Sequence, residues 1–330
     1  MKGAGLPLLA APLLTAMAVA LALAPASAGA RGPRTNSDEY KKSWGLEAIG
    51  ARAAYANGLT GKGITVAILD CGLNKAQRDL MRNVSRKSRD VVQDRAMPVM
   101  DRHGSFVAGP LASALNGTGM VGVAYKATVL EVRADVDGGL EGSCAFKPSD
   151  LARGLDYAIA QKARIVVLPI QGRKPMGAVF EAALERLARS GAVAVIAAGN
   201  RMGAEPTWPA RYAVDPRFAG SIVVAGATGY YGAMTAWSNK AGMVQSYYIA
   251  APGEWILTDC MAKCQRVSGT SFSTSYVAGA LALVMEARPA LTGPQAAEQI
   301  LNGARDAGEA GTDAIYGRGI LDLGRVFPAA

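Results

Sequence analysis

The sequence predicts an α/β fold, a three-layer open parallel sheet with helices on both faces. Three observations carry this. Strand-like and helix-like runs alternate from residue 64 onward, as they do in repeated β-α units. The strand-like runs are short, continuously apolar and mostly rich in β-branched residues, the pattern of strands buried on both faces. Half of the residues are hydrophobic and only 18% are charged, enough apolar side chain for a large core.

In chain order, the expected strands are Ile64–Leu69, Thr128–Arg133, Ile165–Ile170, Ala192–Ala197, Ser221–Ala225 and Tyr247–Ala250. The expected helices are Phe106–Leu115, Asp150–Lys162, Gly177–Ser190, Ser271–Arg288 and Gly293–Asn302. Asp150 and Thr292 stand where a side-chain oxygen can cap a first turn. The run after Ser271 is apolar on nearly all sides, so it reads as a buried helix. Pro110 falls inside the Phe106–Leu115 run and removes a backbone donor there. No repeat or low-complexity linker interrupts the pattern, and residues 31–330 read as one domain.

Residues 1–30 read as a signal peptide. Lys2 is positive, Leu6 to Ala24 is apolar, and the small-residue sites Ala26-Ser27-Ala28 and Ala28-Gly29-Ala30 place cleavage after Ala28 or Ala30. A membrane anchor is the competing reading. Pro7 and Pro12 interrupt the run and favour cleavage, and no later segment is an apolar stretch of spanning length. A secreted or periplasmic location is therefore expected, with no stable membrane span after cleavage.

Export implies an oxidising compartment, so Cys71, Cys144, Cys260 and Cys264 are disulfide candidates. Four cysteines allow three pairings. Cys260 and Cys264 are close enough to close a small loop, which would leave Cys71 with Cys144. Metal binding by these cysteines is the weaker alternative, because there is no CxxC and no second histidine. The net charge of +9 is scattered along the chain. Nucleic-acid binding, which needs a clustered basic patch, is not expected.

The chain has a single histidine, His103, so any imidazole acid–base chemistry belongs to it. Asp70 and Asn200 each end a predicted strand, where α/β folds gather their chemistry. Ser271 opens the apolar helix from within Gly269-Thr270-Ser271-Phe272-Ser273. Taken singly, each has a structural explanation: a turn aspartate, a packed histidine, a turn serine. Together they follow the order Asp, His, Ser, each at an element boundary beside a glycine. A serine hydroxyl needs a base to become a nucleophile, and the base needs a carboxylate to fix its tautomer. The oxyanion that follows needs donors, which the Asn200 amide and the Ser271 N–H can supply.

On these residues the chain resembles the subtilisin-like serine proteases, from about Trp44 to the C-terminus. Gly63 to Gly72 looks like the family's aspartate motif. His103-Gly104-Ser105-Phe106-Val107-Ala108-Gly109 looks like its histidine motif, Ala197-Ala198-Gly199-Asn200 like its oxyanion motif, and Ser268-Gly269-Thr270-Ser271 like its serine motif. The resemblance implies a subtilisin-like fold and a serine endopeptidase acting on protein or peptide substrates. In it Asp70 orients, His103 is the base, Ser271 attacks, and Asn200 binds the oxyanion. Trp44-Gly45-Leu46 and Gly319-Ile320-Leu321-Asp322 look most like subtilases of bacterial autotransporters. Such proteins carry a C-terminal β-barrel translocator, which is not expected within these 330 residues. Too few residues separate the leader from Trp44 for a folded inhibitory prodomain.

The departures are specific. Cys71 replaces the family's usual Ser or Thr, Ser105 replaces its usual Thr, and Ser275-Tyr276 stands where the family usually has Pro-His. The family's Ser-Leu-Gly substrate strand corresponds to Leu168-Pro169-Ile170-Gln171-Gly172, in which Pro169 lacks an N–H. Pro169, Ile170, Gln171 and Gly172 are the expected substrate-binding residues. Arg201 is expected beside the pocket for the side chain before the cut bond. A non-catalytic subtilase-fold binding module is the alternative these departures suggest. Gly117-Thr118-Gly119-Met120-Val121-Gly122 matches GxGxxG but follows a helix and leads into a strand, the reverse of a dinucleotide fingerprint. In relatives the corresponding loop can hold calcium. This one is short and contains no carboxylate, so the sequence supports no metal ligand and no certain cofactor, and structural calcium stays an open alternative without sequence support.

Overall fold

The structure is a computed structural model that describes Met1 and residues 32–74, 76–92, 103–136, 144–260 and 263–328. The leader and its cleavage sites lie outside the described residues. Residues 31–330 form one compact unit. No helix among the described residues is long and apolar enough to cross a membrane.

A seven-stranded sheet in the order β2-β3-β1-β4-β5-β6-β7 organises this unit. Its strands are β1 (Thr65–Asp70), β2 (Arg89–Asp90), β3 (Thr128–Arg133), β4 (Ile165–Leu168), β5 (Val193–Ala197), β6 (Ile222–Thr228) and β7 (Tyr248–Pro252). All pair in parallel. Alternate side chains enter two separate cores. Val66, Ile68, Val167 and Val195 pack on one face with the His103–Ala112, Thr270–Ala287 and Gly293–Asn302 helices. Ala67, Leu69, Leu168 and Ile196 pack on the other with the Pro148–Ala160 and Ala178–Arg189 helices. The predicted three-layer arrangement is the observed one.

Boundaries shift where local chemistry decides them. The strand expected to reach Ile170 ends at Leu168, immediately before Pro169, which cannot donate to a ladder. Asp150 is not a cap. Its helix starts at Pro148, and the Asp150 carboxylate instead pairs with Arg153 in the first turn. Thr292 does cap, in a reciprocal box with Gln295. Strand β2 and an antiparallel hairpin of β8 (Ile256–Thr258) and β9 (Gln265–Val267) were not expected. Segments of two or three residues are too short to show a period.

Pro110 stays inside a continuous helix. Its missing N–H would have met the Phe106 carbonyl, and the Thr258 hydroxyl donates to that carbonyl at 2.9 Å instead. Ser275 has a comparable bridging role, donating at 2.6 Å to the Val107 carbonyl. The serine-bearing and histidine-bearing helices are thereby tied together where the family usually has proline.

Candidate active site

Strand β1 ends in Asp70, whose side chain is fully buried. His103 begins the helix that packs against that strand end, and its Nδ1 lies 2.9 Å from both Asp70 oxygens. Asp70 Oδ1 also accepts the Cys71 N–H at 2.7 Å. Gly104 makes the close approach possible, since a Cβ there would lie 2.3 Å from the Gly72 carbonyl oxygen. The imidazole is a quarter exposed, so one edge is held and the rest faces the cleft.

Ser271 is the second residue of the Thr270–Ala287 helix. The first N–H groups of a helix lack intrahelical acceptors, and the dipole there favours negative charge. The Ser271 hydroxyl donates at 3.1 Å to the Pro169 carbonyl. Asn200 follows β5, and its Oδ1 accepts both the Thr270 N–H at 2.9 Å and the Thr270 hydroxyl at 2.8 Å. Two donors on one atom identify that atom as the oxygen, so Nδ2 is the end left to donate. Thr270 Oγ1 in turn accepts the Gly199 N–H at 3.1 Å, where φ is +109°, a conformation glycine tolerates. Gln171 Oε1 accepts the Asn200 N–H at 3.0 Å. Thr270 and Gln171 thus orient Asn200, a relationship the sequence did not reveal.

These groups open on one cleft of about 460 Å³, which His103, Cys144, Phe146, Pro169, Asn200 and Ser271 help to line. Ile170 and Gln171 also line it. Gly172 and Arg201 do not. Gly172 exchanges both of its backbone hydrogen bonds with Trp208. Arg201 is exposed, with its N–H bonded to Asn239 Oδ1. The cysteines pair as Cys71–Cys144, at the cleft, and Cys260–Cys264, in the loop of the β8–β9 hairpin.

A subtilase family model, peptidase S8, matches residues 61–319. The chain belongs to the subtilase family. It is a serine-type endopeptidase. This subtilase is 29% identical to Subtilisin Savinase of Lederbergia lenta over 280 residues, covering 84% of this chain and 96% of the relative. It is 27% identical to Subtilisin E of Bacillus subtilis (strain 168) over 295 residues, covering 86% and 71%. It is 28% identical to the Minor extracellular protease Epr of the same strain over 289 residues, covering 87% of this chain and 42% of that one.

The loop at residues 117–122 carries no carboxylate of its own. Carboxylates do reach it from outside, a feature invisible within the loop's own sequence. Glu39 Oε2 accepts the Asn116 and Gly117 N–H groups at 3.3 and 2.9 Å. Asp79 Oδ1 accepts the Asn116 side-chain amide at 3.0 Å. Asp79 Oδ2 is covered by Gly119, where a Cβ would lie 2.1 Å away. Asp79 Oδ2 has no hydrogen-bond partner among the described residues.

Glu131 also escaped the sequence reading. It sits in β3 opposite Ile68 and is 1% exposed. Oε1 accepts the Gly72 N–H at 3.1 Å. Oε2 has no hydrogen-bond partner among the described residues. Burial, and then the nearby Asp70 charge, push this carboxyl well above its ordinary value of 4.5. A folded-state value raised in this way favours the protonated fold. The benefit is complete below the unfolded value and is lost as pH rises through the folded one. Glu131→Gln should therefore raise Tm at about pH 8, by roughly 2–4 °C for each kcal/mol relieved, with the difference vanishing near about pH 4. Thermal unfolding followed across pH checks this, and parallel curves for the two proteins would refute a neutral Glu131.

Proposed function

We propose that this subtilase is an exported endopeptidase that cleaves proteins or peptides through an acyl-enzyme, with Asp70, His103 and Ser271 as its triad. The observation that carries this reading is convergence on one cleft. A carboxylate-held imidazole, a helix N-terminal hydroxyl and a pre-oriented amide meet there. Asp70 keeps the proton on His103 Nδ1 and leaves Nε2 as the base. To attack, Ser271 Oγ must leave the Pro169 carbonyl and turn to the ring. Oγ attacks the scissile carbonyl carbon, its proton passes to Nε2, and the carbonyl electron pair moves onto oxygen. Asn200 Nδ2–H and the Ser271 N–H bind that oxyanion. Collapse expels the amine, which takes the proton from His103, and leaves an ester on Ser271. Water activated by His103 then releases the acid and restores the serine.

Export is supported by the leader-like residues 1–30 and by the relative described as extracellular. A periplasmic destination fits the same leader. The Trp44-Gly45-Leu46 and Gly319–Asp322 motifs favour kinship with the protease domains of bacterial autotransporter subtilases.

A fluorophosphonate probe should label the protein at Ser271, as mapped by peptide mass, alongside cleavage of casein. Folded protein that neither labels nor cleaves would instead support the binding-module alternative. Asn200→Ala should lower kcat by about 10²–10³-fold with a much smaller change in KM, because the donor acts on charge that develops only in the transition state. Steady-state kinetics with a peptide anilide checks the split. A loss confined to KM would remove Asn200 from the oxyanion site.

A further inference from the structure

Two residues of the proposed triad, Asp70 and His103, share a donor set with Cys71 and Cys144, whose sulfurs the triad chemistry does not use. One ligand atom each from Asp70, Cys71, His103 and Cys144 lies within 4.8 Å of the other three. Cys71 Sγ is 3.0 Å from Asp70 Oδ1, and the same carboxylate is 2.9 Å from the imidazole. Zn–N near 2.0 Å and Zn–S near 2.3 Å give a tetrahedron with edges of roughly 3.3–3.8 Å. After reduction the two sulfurs must part by roughly 1.7 Å to span such an edge, while one donor atom of each group already stands within 4.8 Å of the others. Two sulfurs, one imidazole and one carboxylate suit zinc and disfavour calcium or magnesium. The Cys71–Cys144 bond occupies these sulfurs in the oxidised chain. Cys144 and His103 line the cleft, so a small reductant and a metal ion can reach them from solvent.

We propose that reduction of Cys71–Cys144 creates a closed Zn²⁺ site from Asp70, Cys71, His103 and Cys144. Two low-molecular-weight thiols reduce the bond, giving two cysteine thiols and one external disulfide. Zn²⁺ then displaces both thiol protons and is held by two thiolates, the Asp70 carboxylate and neutral His103. All four coordination positions are filled by protein, so no water is activated there. Zinc binding stands on this geometry alone. The accompanying inhibition rests on the triad reading, because the ion takes the base and its orienting carboxylate together. The enzyme is then active when oxidised and metal-locked when reduced.

The test uses the full chain, reduced anaerobically with a phosphine, with Co²⁺ as a spectroscopic stand-in for Zn²⁺. The Cys260→Ser/Cys264→Ser variant removes the other pair, which joins no such donor cluster among the described residues. One Co²⁺ per reduced chain should bind with thiolate-to-metal charge-transfer bands and tetrahedral d–d bands, and Zn²⁺ should displace it. Oxidised protein should give neither band and should keep its activity in micromolar Zn²⁺. Reduced protein should lose activity at one Zn²⁺ per chain and regain it with a chelator. Ser271→Ala should keep the bands, so an error in the catalytic reading leaves the metal result standing. His103→Ala, at the cleft rim, should weaken Co²⁺ binding by at least about tenfold. Absence of bands in reduced protein, or bands that survive Cys71→Ser/Cys144→Ser or His103→Ala at full affinity, overturns the proposal.

Discussion

Replacing Ser271 by alanine should lower kcat/KM on a peptide substrate by about 10⁶-fold, the scale of loss when a triad loses its nucleophile. The methyl side chain fits a site that is already 7% exposed. Among the described residues the hydrogen bond lost is the donation to Pro169, so Tm should move little. His103→Ala should cost nearly as much, and the double variant no more than the worse single, because the two side chains act as one unit. Residual turnover over water, from substrate binding and the Asn200 donor, should survive in all three. Single-turnover kinetics on inhibitor-titrated protein measures this. Additive losses in the double variant would show that the two residues do not share a step.

Asp70→Asn is the second large effect, about 10⁴-fold in kcat. The direction follows from the local hydrogen bonds. Asp70 Oδ1 is already committed to the Cys71 N–H at 2.7 Å. An asparagine would keep its oxygen on that N–H and turn its NH₂ toward His103 Nδ1. That nitrogen would have to accept, which moves the ring proton to Nε2 and leaves no base facing the serine. The fold should hold, because the substitution is isosteric. Kinetics across pH, paired with thermal unfolding, separates this tautomer effect from a collapsed strand end. Activity within tenfold of the parent would remove Asp70 from its orienting role.

The sheet was legible because its strands carry their own signal. Val66-Ala67-Ile68-Leu69 is apolar at every position, and both of its faces are in fact buried. Asp70 and Asn200 were legible because each interrupts such a run at its carboxyl end. What stayed hidden depends on residues that are distant in sequence. Thr270 and Asn200 are 70 positions apart, and nothing at either one announces the hydrogen bonds that orient the amide. Cys71 and Cys144 are 73 apart and read as a disulfide, while their shared neighbourhood with Asp70 and His103 exists only in three dimensions. Glu131 did leave a trace, a carboxyl between the apolar Leu130 and Val132 of β3. Gly172 was expected from the resemblance of residues 168–172 to the family's substrate strand and Arg201 from its place after Asn200; Gly172 pairs with Trp208 instead, and neither residue lines the cleft.

The hydroxyl of Thr258 standing in for the absent Pro110 N–H also constrains how this chain can change. A Cβ at Gly109 would lie 2.5 Å from that hydroxyl, so the repair needs a glycine next to the proline it repairs. The three residues form an epistatic set. Thr258 is required only while residue 110 is proline, and Gly109 is fixed only while Thr258 reaches in. Stepwise exchange with a relative would pass through intermediates in which the Phe106 carbonyl has lost its donor. A sequence graft of the histidine helix should therefore carry Thr258 with it, although that residue lies in a hairpin 152 positions away.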